Sequence, residues 1–338
     1  MKSFWLFRSN IRALEYYHEY KDLKTFKENC HDYYMLLPLW LVEHDYFDEV
    51  IIWRLCKKPT PDIVFNINGK KYIQRWVKNF SETLKYPSPD TSFWRGGFLE
   101  YDQAVSMNPK HFGFKLYLGA GRRVFSQYGG QYDIYLIEDE RDYNKKYKCL
   151  PFYKTASPEI FYPLGHKIDW DICWPANFTQ SRYKGQGEFI KLIGKSKYLQ
   201  KLKIVHCGNK SEIGKNLCKK NNVTNIDFAG HIPRPLLNRY LNKSKFGLNL
   251  SNLKDGCPRV STEILMSGTP LIVKDTVRLL KYFKSSGVIE VNNDNIVSQI
   301  KDSISNYVTI KRETLNATFN HLSFNKICQK NIDMWKKI

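Results

Sequence analysis

The second half of the chain alternates short apolar runs with longer stretches of helical spacing, and no other feature limits its fold as strongly. The runs at 204–207, 226–229, 246–250, 271–273 and 288–291 are apolar on both faces, as strands buried in a parallel sheet must be. Between them, spacing of three and four predicts helices over 187–193, 211–221, 235–241 and 260–266, with another at 295–307 after the last run. Strand, helix, strand in repetition is the signature of a parallel sheet covered on both faces. Several runs end at Gly, Asn or Ser. Ligands of open α/β sheets sit beyond the carboxyl ends of the strands, where the winding reverses, so this half is expected to bind a nucleotide.

The first half is less regular. Residues 62–66 and 132–138 read as strands, Phe112, Phe114, Leu116 and Leu118 alternate, and Ile73, Trp76, Val77 and Phe80 follow helical spacing. This half is therefore also expected to be α/β. A length of 338 residues argues for two domains. The turn-rich passage Tyr-Pro-Leu-Gly-His-Lys sets the boundary, giving domains at 1–165 and 166–322. A final helix over 323–338, spaced by Ile327, Ile332 and Trp335, is expected to pack back toward the first domain. The most apolar window, 33–42, suits a core element or an interfacial membrane contact. It is too short to span a bilayer.

Eight cysteines lie scattered without C-x-x-C spacing, which reads as reduced, cytoplasmic chemistry. The 53 Lys and Arg against 33 Asp and Glu give +20. Such a field draws in anionic partners, whether nucleotides, an anionic membrane surface that would hold the chain peripherally, or nucleic acid. Lysine and asparagine are plentiful throughout, however, and an AT-rich genome produces the same bias.

Residues 255–273 carry the most specific signal. Asp255 and Glu263 straddle a loop-to-helix junction, with Gly256 and Pro258 favouring the loop and Val260 onward the helix. Pro258 suits a helix start and Gly268 a helix end. The start of that helix, at Arg259, Val260 and Ser261, offers free N–H groups and a positive dipole end to a diphosphate. Arg259 could add a bidentate contact there or pair with a neighbouring loop.

The acid-x7-Glu spacing of Asp255 and Glu263, with Gly-Cys-Pro-Arg between and Ser-Gly-Thr-Pro-Leu-Ile-Val after, resembles the signature of the large retaining family of GT-B glycosyltransferases. The resemblance runs over about 150–280 and implies two Rossmann-like domains facing each other across a cleft. It implies a nucleotide-diphospho-sugar donor, UDP- or GDP-linked, no metal, and a glycan, lipid or other hydroxyl acceptor. Asp255 would lie against the donor sugar, and Glu263 would hold the ribose hydroxyls, since one carboxylate accepts two such bonds. Arg182 and Lys184 resemble the pair that neutralises the pyrophosphate, the largest electrostatic demand of the transfer. Their spacing is closer than the family's. His231 and Ile232, in Gly-His-Ile-Pro, resemble the loop that borders the base.

For the acceptor side, His111, Glu138 and Asp139 are base candidates, with 138–142 also readable as a solvated acidic loop. Trp94, in Phe-Trp-Arg-Gly-Gly, could stack on a sugar or base, and Arg122, in Gly-Ala-Gly-Arg-Arg, could meet an anion. Two other readings stand beside transfer to a hydroxyl acceptor. One is glycosylation of modified bases in nucleic acid, as phage enzymes perform; the other is a sugar-nucleotide-binding module without catalysis. Oligomeric state is not legible.

Overall fold

The computed structural model describes residues 1–8, 22–30, 32–56, 61–96, 98–119, 125–127, 129–178, 185–251, 259–277, 281–284 and 287–337. The chain forms two compact units, Met1–Phe152 with Met334–Ile338, and Tyr153–Asp333. Among the described residues no helix is long and apolar enough to cross a membrane.

The first unit runs β1 (Ser3–Arg8), α1 (Leu23–Asn29), α2 (Tyr33–Glu43), β2 (Glu49–Leu55), β3 (Ile63–Ile67), β4 (Lys70–Val77), β5 (Thr91–Arg95), α3 (Leu99–Met107), β6 (Phe114–Leu118), β7 (Ile134–Ile137) and β8 (Cys149–Pro151). Its sheet has the order β3-β4-β2-β1-β5-β6-β7-β8 and is parallel except where β3 pairs antiparallel with β4. The winding moves outward from β1 to β2 and β4, then returns to β5 on the other side of β1. The switch point therefore lies between β1 and β5.

Alternation along each central strand sends residues to two different layers. Trp5, Phe7, Trp53, Trp94, Tyr101, Phe112 and Tyr117 form an aromatic core on one face. Phe7 and Trp94, in register on adjacent strands, stack with centroids 3.7 Å apart. The 33–42 window is α2, buried from Tyr33 to Val42, and so a core element. Its first turn is fixed by Asp32, whose side chain accepts from the Tyr34 amide.

Ile73, Trp76 and Val77 belong to β4 and not to a helix. Strands paired on both edges and covered on both faces lose the apolar-polar alternation, and the apolar residues that remain can mimic helical spacing by chance. Trp94 likewise lies inside β5 and not in a loop.

The second unit runs β9 (Trp170–Pro175), α4 (Gln186–Lys195), β10 (Ile204–Cys207), α5 (Ser211–Lys220), β11 (Ile226–Gly230), α6 (Arg234–Asn242), β12 (Ser244–Asn249), α7 (Arg259–Met266), β13 (Leu271–Lys274), α8 (Lys281–Lys284), β14 (Val288–Val291), α9 (Ile296–Ser305), α10 (Tyr307–Ala317) and α11 (Phe324–Trp335). The sheet is fully parallel, in the order β11-β10-β9-β12-β13-β14. Its switch point lies between β9 and β12, and the winding about it is the same as in the first unit. Strand β9, at the centre, is the one the sequence pattern missed, because its charged and proline-bearing ends resemble a linker. The last two residues of α11, Met334 and Trp335, belong to the first unit, within which Trp335 stacks on Phe152 and meets Phe93 edge-on.

Candidate functional site

In the second unit the residues after β9, β11 and β12 gather at the carboxyl edge of the sheet. Gly185 precedes α4 in the left-handed region, at φ +66°, and a Cβ there would sit 2.3 Å from the Leu250 carbonyl oxygen. Only glycine lets the backbone before α4 approach the end of β12 so closely. The chain thus enters α4 beside the point where it leaves β12. Arg182, Lys184 and Asp255 themselves lie outside the described residues.

Helix α7 follows, with the amides of Arg259, Val260 and Ser261 in its first turn, where no intrahelical partner exists. Arg259 is exposed and Val260 half-buried. Ser261 is fully buried, and its hydroxyl accepts from Asn249 Nδ2 at 2.9 Å, tying the helix start to the end of β12.

Glu263 lies one turn further on and is 1% exposed. Its Oε2 accepts from Arg234 Nη1 at 2.8 Å. Its Oε1 is buried and has no hydrogen-bond partner among the described residues. A carboxylate oxygen in that state is costly unless something else donates to it. Arg234 opens α6, just beyond β11, and its side chain is 38% exposed.

This ion pair heads a polar ladder between two helices. On α6, Arg234, Asn238 and Asn242 recur every fourth residue; on α7 and one residue past its end, Glu263 and Ser267 are spaced the same way. The Ser267 hydroxyl donates to Asn238 Oδ1 at 2.7 Å, and Asn242 Nδ2 donates to the Asn238 and Tyr162 carbonyls. His231, exposed, and Ile232, half-buried, follow Gly230, whose φ of +72° turns the chain out of β11. Glu263, Arg259, His231 and Ile232 are therefore all on the carboxyl-edge side of one unit. Arg234 was missed as a site residue, since nothing in the sequence links it to a glutamate 29 positions away.

The acceptor-side candidates separate. Glu138 and Asp139 follow β7 at the carboxyl edge, but they are 8% and 2% exposed and not a solvated loop. Tyr34 Oη donates to Glu138 Oε1 at 3.1 Å, while Asp139 is held by Arg141, whose Nε and Nη2 donate to its carboxylate. His111 precedes β6 and bonds Ser88, which precedes β5, at 3.2 Å, so it sits at the opposite, amino edge of the sheet. Trp94 is fully buried against Phe7 and has no face to offer a sugar. Arg122 lies outside the described residues. Among those described, no three His, Cys, Asp or Glu side chains converge as metal ligands would.

No protein-family model matches the chain, and no curated protein matches it in sequence. Solved structures do match in fold. Sucrose-phosphate synthase from Thermosynechococcus elongatus superposes with a TM-score of 0.68 at 10% identity, over 100% of this chain and 99% of that one. The lipopolysaccharide outer core galactosyltransferase WaaB gives 0.65 at 12%, covering all of both chains. Anabaena HepE, solved in complex with UDP and glucose, gives 0.65 at 8%, again over the full length of both. The class is thereby defined: two α/β units of parallel sheet, the GT-B fold, in a form that has diverged far in sequence.

Proposed function

We propose that the chain transfers a sugar from a nucleoside-diphospho-sugar to a hydroxyl acceptor, with the second unit holding the donor. The observation that carries this reading is Glu263, a buried carboxylate with one oxygen held by Arg234 and the other without a donor among the described residues. A ribose hydroxyl supplies the missing donor, and its neighbour can share the same carboxylate. The first-turn amides of α7, with Arg259 beside them, suit the diphosphate, and His231 and Ile232 border the place of the base.

Arg182, Lys184 and Asp255 keep the roles that the motif gives them. The two cations offset charge on the departing diphosphate, and Asp255 contacts the sugar. On a retaining course the bond from the anomeric carbon to the diphosphate breaks and a bond to the acceptor oxygen forms on the same face. The acceptor's proton passes to the departing phosphate oxygen, so no protein base is required. A uridine donor has the support of HepE, solved with UDP and glucose, and of an E. coli protein of similar fold solved with UDP-2-fluoro glucose.

A thermal-shift screen across uridine, guanosine, adenosine and thymidine diphosphates and their sugars tests the reading. One of them, at 100 times its dissociation constant, should stabilise the protein by about 2.7 kcal/mol. Indifference to all of them at millimolar concentration would remove the proposal.

A further inference from the structure

Helix α6 begins on a cation. Arg234 is its first residue, directly after Pro233, and no acidic residue stands in that first turn. A positive charge at the positive end of a helix dipole is disfavoured, so local preference does not account for Arg234. Its ion pair does not account for it either. Glu263 is 1% exposed, and a pair with a buried member is commonly no more stable than well-packed apolar side chains in its place. Residues that break local rules without a gain in stability gather at functional sites.

The two partners keep unused hydrogen-bonding capacity of opposite kinds. Arg234 uses Nη1 on Glu263 Oε2 at 2.8 Å and makes no other hydrogen bond among the described residues, while 38% of its side chain is open to solvent. Glu263 Oε1 is buried with no donor among those residues. What remains on the guanidinium is donors only, and on the carboxylate acceptors only. A group that meets both must donate and accept at once. A phosphate satisfies Arg234 but is repelled by Glu263, and an ammonium does the reverse. A hydroxyl does both, and two hydroxyls on adjacent carbons can span the carboxylate and the guanidinium together.

We infer that Arg234 is a specificity-determining residue of the donor site. It donates to a ribose hydroxyl that in turn donates to Glu263, and it thereby selects ribonucleoside diphosphates over their 2′-deoxy counterparts. This rests on the transferase reading, which supplies the nucleotide and gives its ribose to Glu263 alone. A 2′-deoxyribose brings one hydroxyl to two unlike partners, and a buried group left unpaired is costly. Deoxythymidine donors are disfavoured on the same ground.

Calorimetric titration of the full chain with UDP and 2′-deoxy-UDP, and with the guanosine and adenosine pairs alongside, tests the residue. The parent is expected to bind the ribo form at least tenfold more tightly. Arg234→Lys keeps a positive charge near Glu263 but loses the planar fork. It is expected to bring that ratio below threefold by weakening the ribo form, with the deoxy form changed less than twofold. An arginine that only holds α6 to α7 would weaken both forms alike when replaced, and an intact ratio in Arg234→Lys overturns the inference. Equal binding of the two forms by the parent also overturns it, and leaves the donor reading standing. Binding of neither form, with any of the three bases, sinks the donor reading and the inference with it. If Arg234→Lys does not fold, phenylglyoxal labelling of the unaltered chain, read by mass spectrometry, carries the test. UDP is expected to slow labelling of Arg234 at least threefold more than 2′-deoxy-UDP does at the same occupancy; equal protection overturns the inference.

Discussion

Glu263 and Arg234 are unequal partners, one 1% exposed and the other with 38% of its side chain in solvent. Removing either leaves the other alone, but only the glutamate is then a buried, uncompensated charge. Arg234→Met should cost roughly 3–5 kcal/mol in urea denaturation, whereas Glu263→Gln, which frees an arginine that can reach water, should cost under about 1.5 kcal/mol. Equal losses would mean that the pair is not the asymmetric device described. His206, fully buried between Trp174, Phe178 and Phe228, makes a second test at this scale. Burial lowers its pKa from 6.5 to about 4. It is neutral in the fold, and the unfolded chain takes up the proton first as pH falls. Its stability contribution is thus complete above about 6.5 and lost progressively down to about 4, on the order of 3 kcal/mol in all. His206→Phe should flatten the fall in stability between pH 7 and 4.5; a variant with the same slope as the parent would discount the histidine.

Elements were legible where their pattern stayed local. The strands and helices from 204 onward follow the expected order, because each strand is a short apolar run between amphipathic helices. Strand β9 was hidden by Asp171 and Pro175 at its ends, and β4 was misread as helical because burial on both faces erases alternation. The α6–α7 ladder was invisible, since its four-residue spacing of Arg, Asn and Asn reads as a solvated face until the partner helix is known. That ladder gives a prediction of its own. Asn238 is 2% exposed and serves Ser267 at 2.7 Å and the Tyr162 carbonyl at 3.2 Å. Asn238→Ala should cost about 1–3 kcal/mol by leaving those groups unpaired. Asn238→Asp should not restore it, since a carboxylate cannot donate to the carbonyl. Full stability in Asn238→Ala would show that water replaces the ladder.

At the scale of the molecule, two units of the same winding each present charged residues at the carboxyl edge beside their switch point. In the second unit the motif was legible in the sequence, because Asp255, Glu263 and the Gly-Thr-Pro that follows are close neighbours along the chain. The carboxyl edge of the first unit was not. Arg8, Arg54 and Arg95 lie far apart in the chain and meet only through strand register. Trp94 and His111, two of the candidates there, went to the core and to the amino edge. The central claim concerns the donor unit, and calorimetric titration with the nucleoside diphosphate that the screen selects tests it most directly. Glu263→Ala, still folded by circular dichroism, is predicted to bind at least tenfold more weakly than the parent, a loss of about 1.4 kcal/mol or more. Binding of that diphosphate with undiminished affinity would contradict the assignment of Glu263 to the nucleotide.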